Sequence, residues 1–262
     1  KTTTLYSALN QVNHPTTKII TVEDPVEYRM ERVNQVQVNP VIGLDFTRVL
    51  RTCLRQDPDV ILVGEMRDKE TVDIGLRAAM TGHLVFSTLH TVNAVATVSR
   101  LLEMGAPGYL LAAALNGIIA QRLIRRVCDN CKESVELTPG EQAWLSGQQV
   151  AGHGKAGKFT RGAGCNHCLQ TGYRGRLGVY ELLEMDARLT GAMQREDLDE
   201  FNQAAAAKKG YVPLGRRALG YAINGLTTLE EVIRIAGTLE EEEQPVETAS
   251  TVAAEAALQT GT

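Results

Sequence analysis

Three short apolar runs, each giving way at once to charged or hydroxyl residues, constrain this chain more than any other feature. KIITV (Lys18 to Val22) leads into Glu23, Asp24 and Glu27. DVILVG leads into Glu65, Arg67 and Asp68, and HLVFSTL, from His83, ends on Ser87, Thr88, His90 and Thr91. Such β-branched runs suit strands of a parallel sheet covered on both faces. Between them apolar residues recur at helical spacing: Phe46, Val49, Leu50, Cys53 and Leu54, then Val72, Leu76, Ala79 and Met80, then a segment from Asn93 to Met104 stopped by Gly105. This alternation predicts a three-layer α/β domain with a mostly parallel sheet.

The rest is read the same way. Leu5, Ala8, Leu9 and Val12 mark an opening helix with Tyr6 beside the stripe. The Ala/Leu-rich stretch from Tyr109 to Arg126 reads as helical, pattern dissolves between Cys128 and Gly175, and Leu177 to Leu183 resumes as a strand. Helices are expected over 198–208, 213–223 and 228–235, closed by Gly210, Gly225 and Gly237, with Thr228 and Glu231 forming a capping box. Cys53 is expected to be a small core residue.

The formal charge is −4, from 27 basic and 31 acidic residues. Glutamates at 240–243, 247 and 255, with no lysine or arginine among them, concentrate the excess at the end, so that stretch reads as a disordered acidic tail. The near-neutral body gives no electrostatic case for nucleic-acid binding.

In doubly wound sheets, ligands bind beyond the carboxyl ends of the strands. A carboxylate there also serves as a helix cap, and a lone histidine as a structural group. A phosphoryl-transfer site, however, needs a lysine on the phosphates, a hydroxyl and an acid for Mg²⁺, a group orienting water, and a contact to the γ-phosphate. Lys1 and Thr2, opening a helix, resemble the end of a phosphate-binding loop, although an ordinary amphipathic helix begins no differently.

TVEDPVEY, ILVGEMRD and GHLVFSTLHT, in this order, resemble the aspartate, Walker B and histidine boxes of the secretion ATPases, the hexameric motors of type II secretion and type IV pilus assembly. The likeness runs from Lys1 to about Gly237. Its closing part, KKGYVPLGRRALGYAINGLTTLEEVIRI, is most similar to assembly ATPases of mannose-sensitive haemagglutinin type pili. The resemblance implies a RecA-like P-loop ATPase core, truncated at its N-terminal edge, over 1–126. It further implies a tetracysteine zinc-binding subdomain over 127–176, a strand and helical subdomain over 177–237, and the tail over 238–262.

It also implies that Lys1 contacts ATP phosphates, Thr2 and Glu65 hold Mg²⁺, Glu27 activates the attacking water and His90 senses the γ-phosphate. Arg67 becomes a bracing or interface residue, and Gly64 stands where many P-loop ATPases carry an aspartate. The implied assembly is a homo-hexamer, cytoplasmic and peripheral at the inner membrane, driving a platform protein of the pilus or secretion machine. No nucleic-acid partner is expected, and cyclic di-GMP is implied only through a preceding domain. That domain would also carry the arginine fingers, so the chain by itself is expected to hydrolyse ATP poorly or not at all. An ATPase for DNA uptake, or a zinc ribbon binding nucleic acid through Phe159 and Tyr173, are the alternatives.

Cys128 and Cys131 (CDNC) and Cys165 and Cys168 (CNHC) form two knuckles with the bite of a tetrahedral Zn²⁺. Two disulfides would use the same residues, and His167 lies within the second knuckle. The neighbouring Arg122, Arg125 and Arg126 are expected to offset the charge of a Zn(Cys)₄ centre or to form a partner contact. The family resemblance agrees with zinc and favours an assembly or secretion motor over a retraction motor.

Overall fold

The protein is described by a computed structural model covering residues 1–147 and 159–243. It divides into two compact units, residues 1–122 with 178–217, and residues 123–177 with those from 218 onward.

In the first unit, α1 (Thr2–Val12), β1 (Ile19–Glu23), β2 (Val33–Gln37), α2 (Phe46–Cys53), β3 (Val60–Val63), α3 (Lys69–Met80), β4 (Leu84–Ser87), α4 (Ala94–Glu103) and α5 (Gly108–Ala114) follow one another. The four strands form an all-parallel sheet in the order β2-β1-β3-β4, with Ile19 opposite Val60 and Val60 opposite Leu84. Every residue of β1 and β3 is buried, as their apolar runs require. The alternation of side chains across the sheet then sorts the helices. Ile19, Val60 and Leu62 pack with Leu9 of α1, whereas Ile61 and Val63 pack with Leu50 of α2 and Ala78 of α3. Cys53 is buried with Ile20, Val22 and Val49, the core role expected of it.

Two elements depart from the sequence reading. VNQVQ at β2 carried no strand signal because it is an edge strand, partly exposed along its length, and edges tolerate polar residues on both faces. The helix expected as far as Arg126 ends at Ala114, and β5 (Gly117–Val127) takes over. Its Ile118, Ala120, Ile124 and Val127 are buried while Ile119 and Leu123 are exposed, an alternation that paired isoleucines favour and that the preceding alanines masked. β5 pairs with the long strand β8 (Tyr173–Glu184), which ends in the first unit. Helices α7 (Ala187–Gln194) and α8 (Leu198–Ala207) follow. α7 was not anticipated, although Asp186 caps it through the amides of Arg188 and Leu189.

In the second unit, β6 (Lys132–Ser134) pairs antiparallel with β7 (Thr160–Gly162), and α6 (Pro139–Gly147) follows β6. A Cβ at Gly162 would stand 2.1 Å from the Gly172 carbonyl oxygen, so the backbones meet where only glycine fits. α9 (Leu214–Ile223) begins in the first unit and ends in the second at Gly225, in the left-handed region at φ +65°. The last helix, α10 (Leu229–Glu243), does not stop at Gly237 but continues through the glutamate run. Glutamate is a good helix former, and an isolated glycine costs a helix only about 1 kcal/mol. Residues 244–262 of the expected tail lie outside the described residues.

Half of the expected capping box forms. The Glu231 amide donates to Thr228 Oγ1 at 3.3 Å. The fully buried Glu231 carboxylate instead accepts from Arg125 at 2.8–2.9 Å and Arg234 at 3.1 Å. Against the burial that would raise it, these donors hold Glu231 down to about 2. A carboxylate depressed on folding contributes stability above its ordinary pKa and loses it as pH falls toward the folded value. Glu231→Gln is expected to destabilise the unit by about 3 kcal/mol at neutral pH, because two guanidiniums lose their counter-charge. Denaturation of both proteins across pH should show the gap widest above pH 5 and closing toward pH 3.

Candidate functional site

The carboxyl ends of β1, β3 and β4 bring the sequence clusters together beside the start of α1. Gly64, just past β3, donates its amide to Val22 O at 2.7 Å. A Cβ there would meet that oxygen at 3.2 Å and Glu23 Cα at 3.4 Å, so a small residue lets the two strand ends close up. Thr88 ties the third end to them, its hydroxyl donating to Gly64 O at 2.7 Å and its carbonyl accepting from Met66 N at 3.0 Å.

Glu65 projects from this frame with its side chain only 12% exposed. One carboxylate oxygen pairs with the Arg67 guanidinium, and the other lies 3.4 Å from His90 Nε2. Lys1 Nζ donates to Leu89 O at 2.8 Å, on the same loop as His90. Burial lowers the Lys1 ammonium pKa, Arg122 adds to that, and Glu65 opposes both. Glu65, and more weakly Asp24, raise the pKa of Arg67. Lys1, Glu65, Arg67 and His90 thus converge.

The remaining nominees are placed differently. Thr2 is the first residue of α1 and partly buried. Glu27 is exposed, held through its amide, which donates to Tyr6 Oη at 3.3 Å, and its carboxylate joins neither Glu65 nor His90 among the contacts of the described residues. Asp68 caps α3 through Thr71 N at 2.8 Å and Thr71 Oγ1 at 3.0 Å. Buried Glu23 accepts from the Tyr6 hydroxyl, from Thr21 Oγ1 at 2.5 Å and from Gln35 Nε2 at 3.3 Å. Burial and the bond to Glu23 push the Tyr6 hydroxyl up to about 12. This Tyr6–Glu23 bridge, fixing α1 against the Glu27 loop, was missed in the sequence, where Tyr6 stood beside the apolar stripe without an assigned partner. Ser87, named with the third strand-end cluster, sits at the end of β4 with a buried Oγ that has no partner among the described residues.

Chemically, a hard carboxylate ringed by an ammonium, a guanidinium and an imidazole suits a polyphosphate carrying a hard divalent cation. The donor set fits Mg²⁺–nucleotide.

The four knuckle cysteines form a second cluster, in the second unit. Their sulfurs all lie within 4.8 Å of one another, with separations of 3.9 Å for Cys128–Cys165, 3.8 Å for Cys131–Cys168 and 3.7 Å for Cys165–Cys168. Tetrahedral Zn²⁺ with Zn–S near 2.3 Å requires S···S of about 3.8 Å. The sulfurs stand at non-bonded separations, an arrangement that suits one shared metal better than two disulfides. Burial and the neighbouring thiols push Cys131 up to about 12, although Gly164 opposes this. Against burial, the amides of Cys165 and Gly172, each 3.3 Å from its sulfur, help hold Cys168 down to about 6. His167 is exposed and outside the cluster.

The arginines expected to offset the centre have other partners. Arg125 pairs with Glu231 and lies 4.0 Å over the Tyr173 ring, and Arg126 pairs with Asp129 at 2.7 Å. Phe159 is buried and the Tyr173 hydroxyl is engaged by Thr228, so neither stands ready to stack a base. No described helix is long and apolar enough to cross a membrane.

Comparison with known proteins agrees with this picture. The type II secretion system protein E of Pseudomonas aeruginosa is 43% identical over 237 residues, covering 90% of this chain and 46% of the relative. The type IV pilus assembly ATPase PilB of the same organism is 46% identical over 241 residues, covering 90% and 41%. The chain thus spans somewhat under half the length of these curated relatives. Among solved structures, the pilus retraction motor PilT with bound ADP superposes with a TM-score of 0.63 at 30% identity, covering 90% of this chain and 57% of that one. The Legionella pneumophila ATPase DotB shares the fold at the same TM-score and 22% identity. Residues 1–234 match the Type II/IV secretion system protein family, and the chain belongs to that family.

Proposed function

We propose that this chain carries the nucleotide-hydrolysing half of a motor for type IV pilus assembly or type II secretion, converting ATP and water to ADP and phosphate. The convergence of Lys1, Glu65, Arg67 and His90 at three parallel strand ends carries the reading. Bound Mg²⁺ would supply charge neutralisation at the β- and γ-phosphates. Lys1 then sits on the phosphates, Thr2 and Glu65 face the cation, Glu27 swings in to orient water, and His90 reads the γ-phosphate. Arg67, paired with Glu65 here, braces that carboxylate until nucleotide competes for one of the two.

The knuckle cysteines hold structural Zn²⁺, a feature we assign to the assembly or secretion branch rather than the retraction branch. Type II secretion and pilus assembly relatives share the chain's sequence at above 40% identity, against 30% for the retraction motor. The working form in this reading is a homo-hexamer at the cytoplasmic face of the inner membrane, acting on a platform protein. The test is hydrolysis and nucleotide binding by the protein at its full natural length. Lys1→Ala should weaken ATP binding at least about tenfold, as expected when a phosphate-contacting charge is lost. Unchanged binding in that variant would refute the placement of the site.

A further inference from the structure

Glu181, on β8, is buried to 1% exposure, yet it belongs to none of the clusters above. Its neighbours Val179 and Leu183 share the inward face of the strand, so a carboxylate occupies a position where an aliphatic side chain is the rule. Three donors meet it. Oε1 accepts from Ala94 N at 2.9 Å and from the Tyr211 hydroxyl at 2.7 Å, and Oε2 accepts from Leu214 N at 2.9 Å. Ala94 opens α4 and Leu214 opens α9. One carboxyl group therefore takes an otherwise unsatisfied first-turn amide from each of two helices.

α4 begins four residues after His90. Two side-chain bonds couple the intervening segment to α4: Thr91 Oγ1 meets Thr97 Oγ1 at 2.8 Å, and Asn93 caps Ala96 N at 2.7 Å. They make the segment move with the first turn of α4. Ala94 N to Glu181 ties that turn to β8, and Lys1 Nζ to Leu89 O holds the other flank of His90. His90 itself is 77% exposed, with Glu65 at 3.4 Å, so its placement depends on these flanks.

We propose that Glu181 is a positioning residue for hydrolysis: it locks the His90 loop through α4 and links it to the Tyr211–Leu214 segment that starts α9. The inference rests on the motor reading for its chemistry. Glu181→Ala removes all three acceptor contacts. Glu181→Gln, which must turn its amide nitrogen toward one of the donors, loses part of them. In the protein at full natural length, Glu181→Ala should lower kcat at least about tenfold, as misplacement of a reacting group does, with KM for ATP changed less than about twofold. Glu181→Gln should lose less.

A residue that acts through His90 has nothing left to position once the imidazole is gone. In a His90→Ala background, either Glu181 variant should therefore change kcat less than about twofold further, whereas a general folding defect would multiply the two losses. Full multiplicativity, or an unchanged kcat in both single variants, overturns the proposal. If circular dichroism shows Glu181→Ala unfolded, Glu181→Gln decides by the same criteria. Amide hydrogen exchange separates this inference from the motor reading. Faster exchange confined to about 91–97 and 211–216 in Glu181→Gln supports the lock whether or not the wild type hydrolyses ATP, and unaltered exchange there overturns it.

Discussion

Glu65→Gln is expected to reduce kcat by about 100-fold or more while leaving nucleotide affinity within about threefold. The glutamine keeps the shape of a side chain that is nearly enclosed at the end of β3, with Arg67 on one oxygen and His90 on the other. Folding should therefore survive. What disappears is the negative charge that would hold the cation against the phosphates, and electrostatic stabilisation at a transferring phosphoryl group amounts to several kcal/mol, hence two or more decades in rate. Affinity should be spared because in the proposed site Lys1, held at Leu89, would still meet the phosphates, and removal of an anion beside a polyanionic ligand offsets part of the lost cation contact. A steady-state assay with a fluorescent nucleotide titration measures both quantities. Parallel loss of rate and binding would place Glu65 in a structural role, and an unchanged rate would remove it from the site.

How much of this was legible beforehand follows from where each residue sits. β1 and β3 were readable because strands buried on both faces are chiefly apolar, as Ile19, Ile20 and Val22 and Val60 to Val63 are. β2 was not, since an edge strand makes no such demand. β5 was misread because Ala112, Ala113 and Ala114 carry a helical signal up to the Asn116–Gly117 break, and the period-two pattern after it is short. The structure gathers the strand-end clusters in one region, but composition could not divide them. Glu23, Asp68 and Glu65 all follow strands; one is a buried acceptor for Tyr6, one caps α3, and one faces Arg67 and His90. The partner, not the residue type, makes the difference, and partners such as Tyr6 or Thr71 are set by packing. Glu181 did leave a trace in the sequence: a glutamate in phase with Val179 and Leu183 breaks the binary pattern of a strand, and such a break calls for donors. Glu231 left a weaker one, since its capping-box position hid the arginines that hold it.

Metal removal should have the largest effect on folding. Among the described residues, the strands and α-helix between the two knuckles are two three-residue strands and the short helix α6, and every residue of β6 is exposed. A two-stranded ribbon is at best marginally stable in water, and the aliphatic and aromatic side chains buried around the knuckles, such as Val127 and Phe159, are few. With Zn²⁺ in the proposed site, metal binding and folding of this segment would be one equilibrium, with an apparent contribution on the order of 10 kcal/mol in small zinc modules. Protein prepared under reducing conditions is expected to contain about one zinc per chain by atomic emission. A strong chelator, or Cys128→Ser with Cys168→Ser, should abolish amide protection across 128–135 and 159–172. Protection in β1 and β3 should persist, because Ile19, Val60 and Leu62 are held by α1, and Ile61 and Val63 by α2 and α3, none of which contributes a cysteine to the cluster. Metal-free protein with intact protection at the knuckles would mean that hydrogen bonds such as Cys128 N to Gly172 O at 2.9 Å and Ala163 N to Cys131 O at 2.9 Å suffice alone. The near-tetrahedral thiols would then have to be explained without zinc.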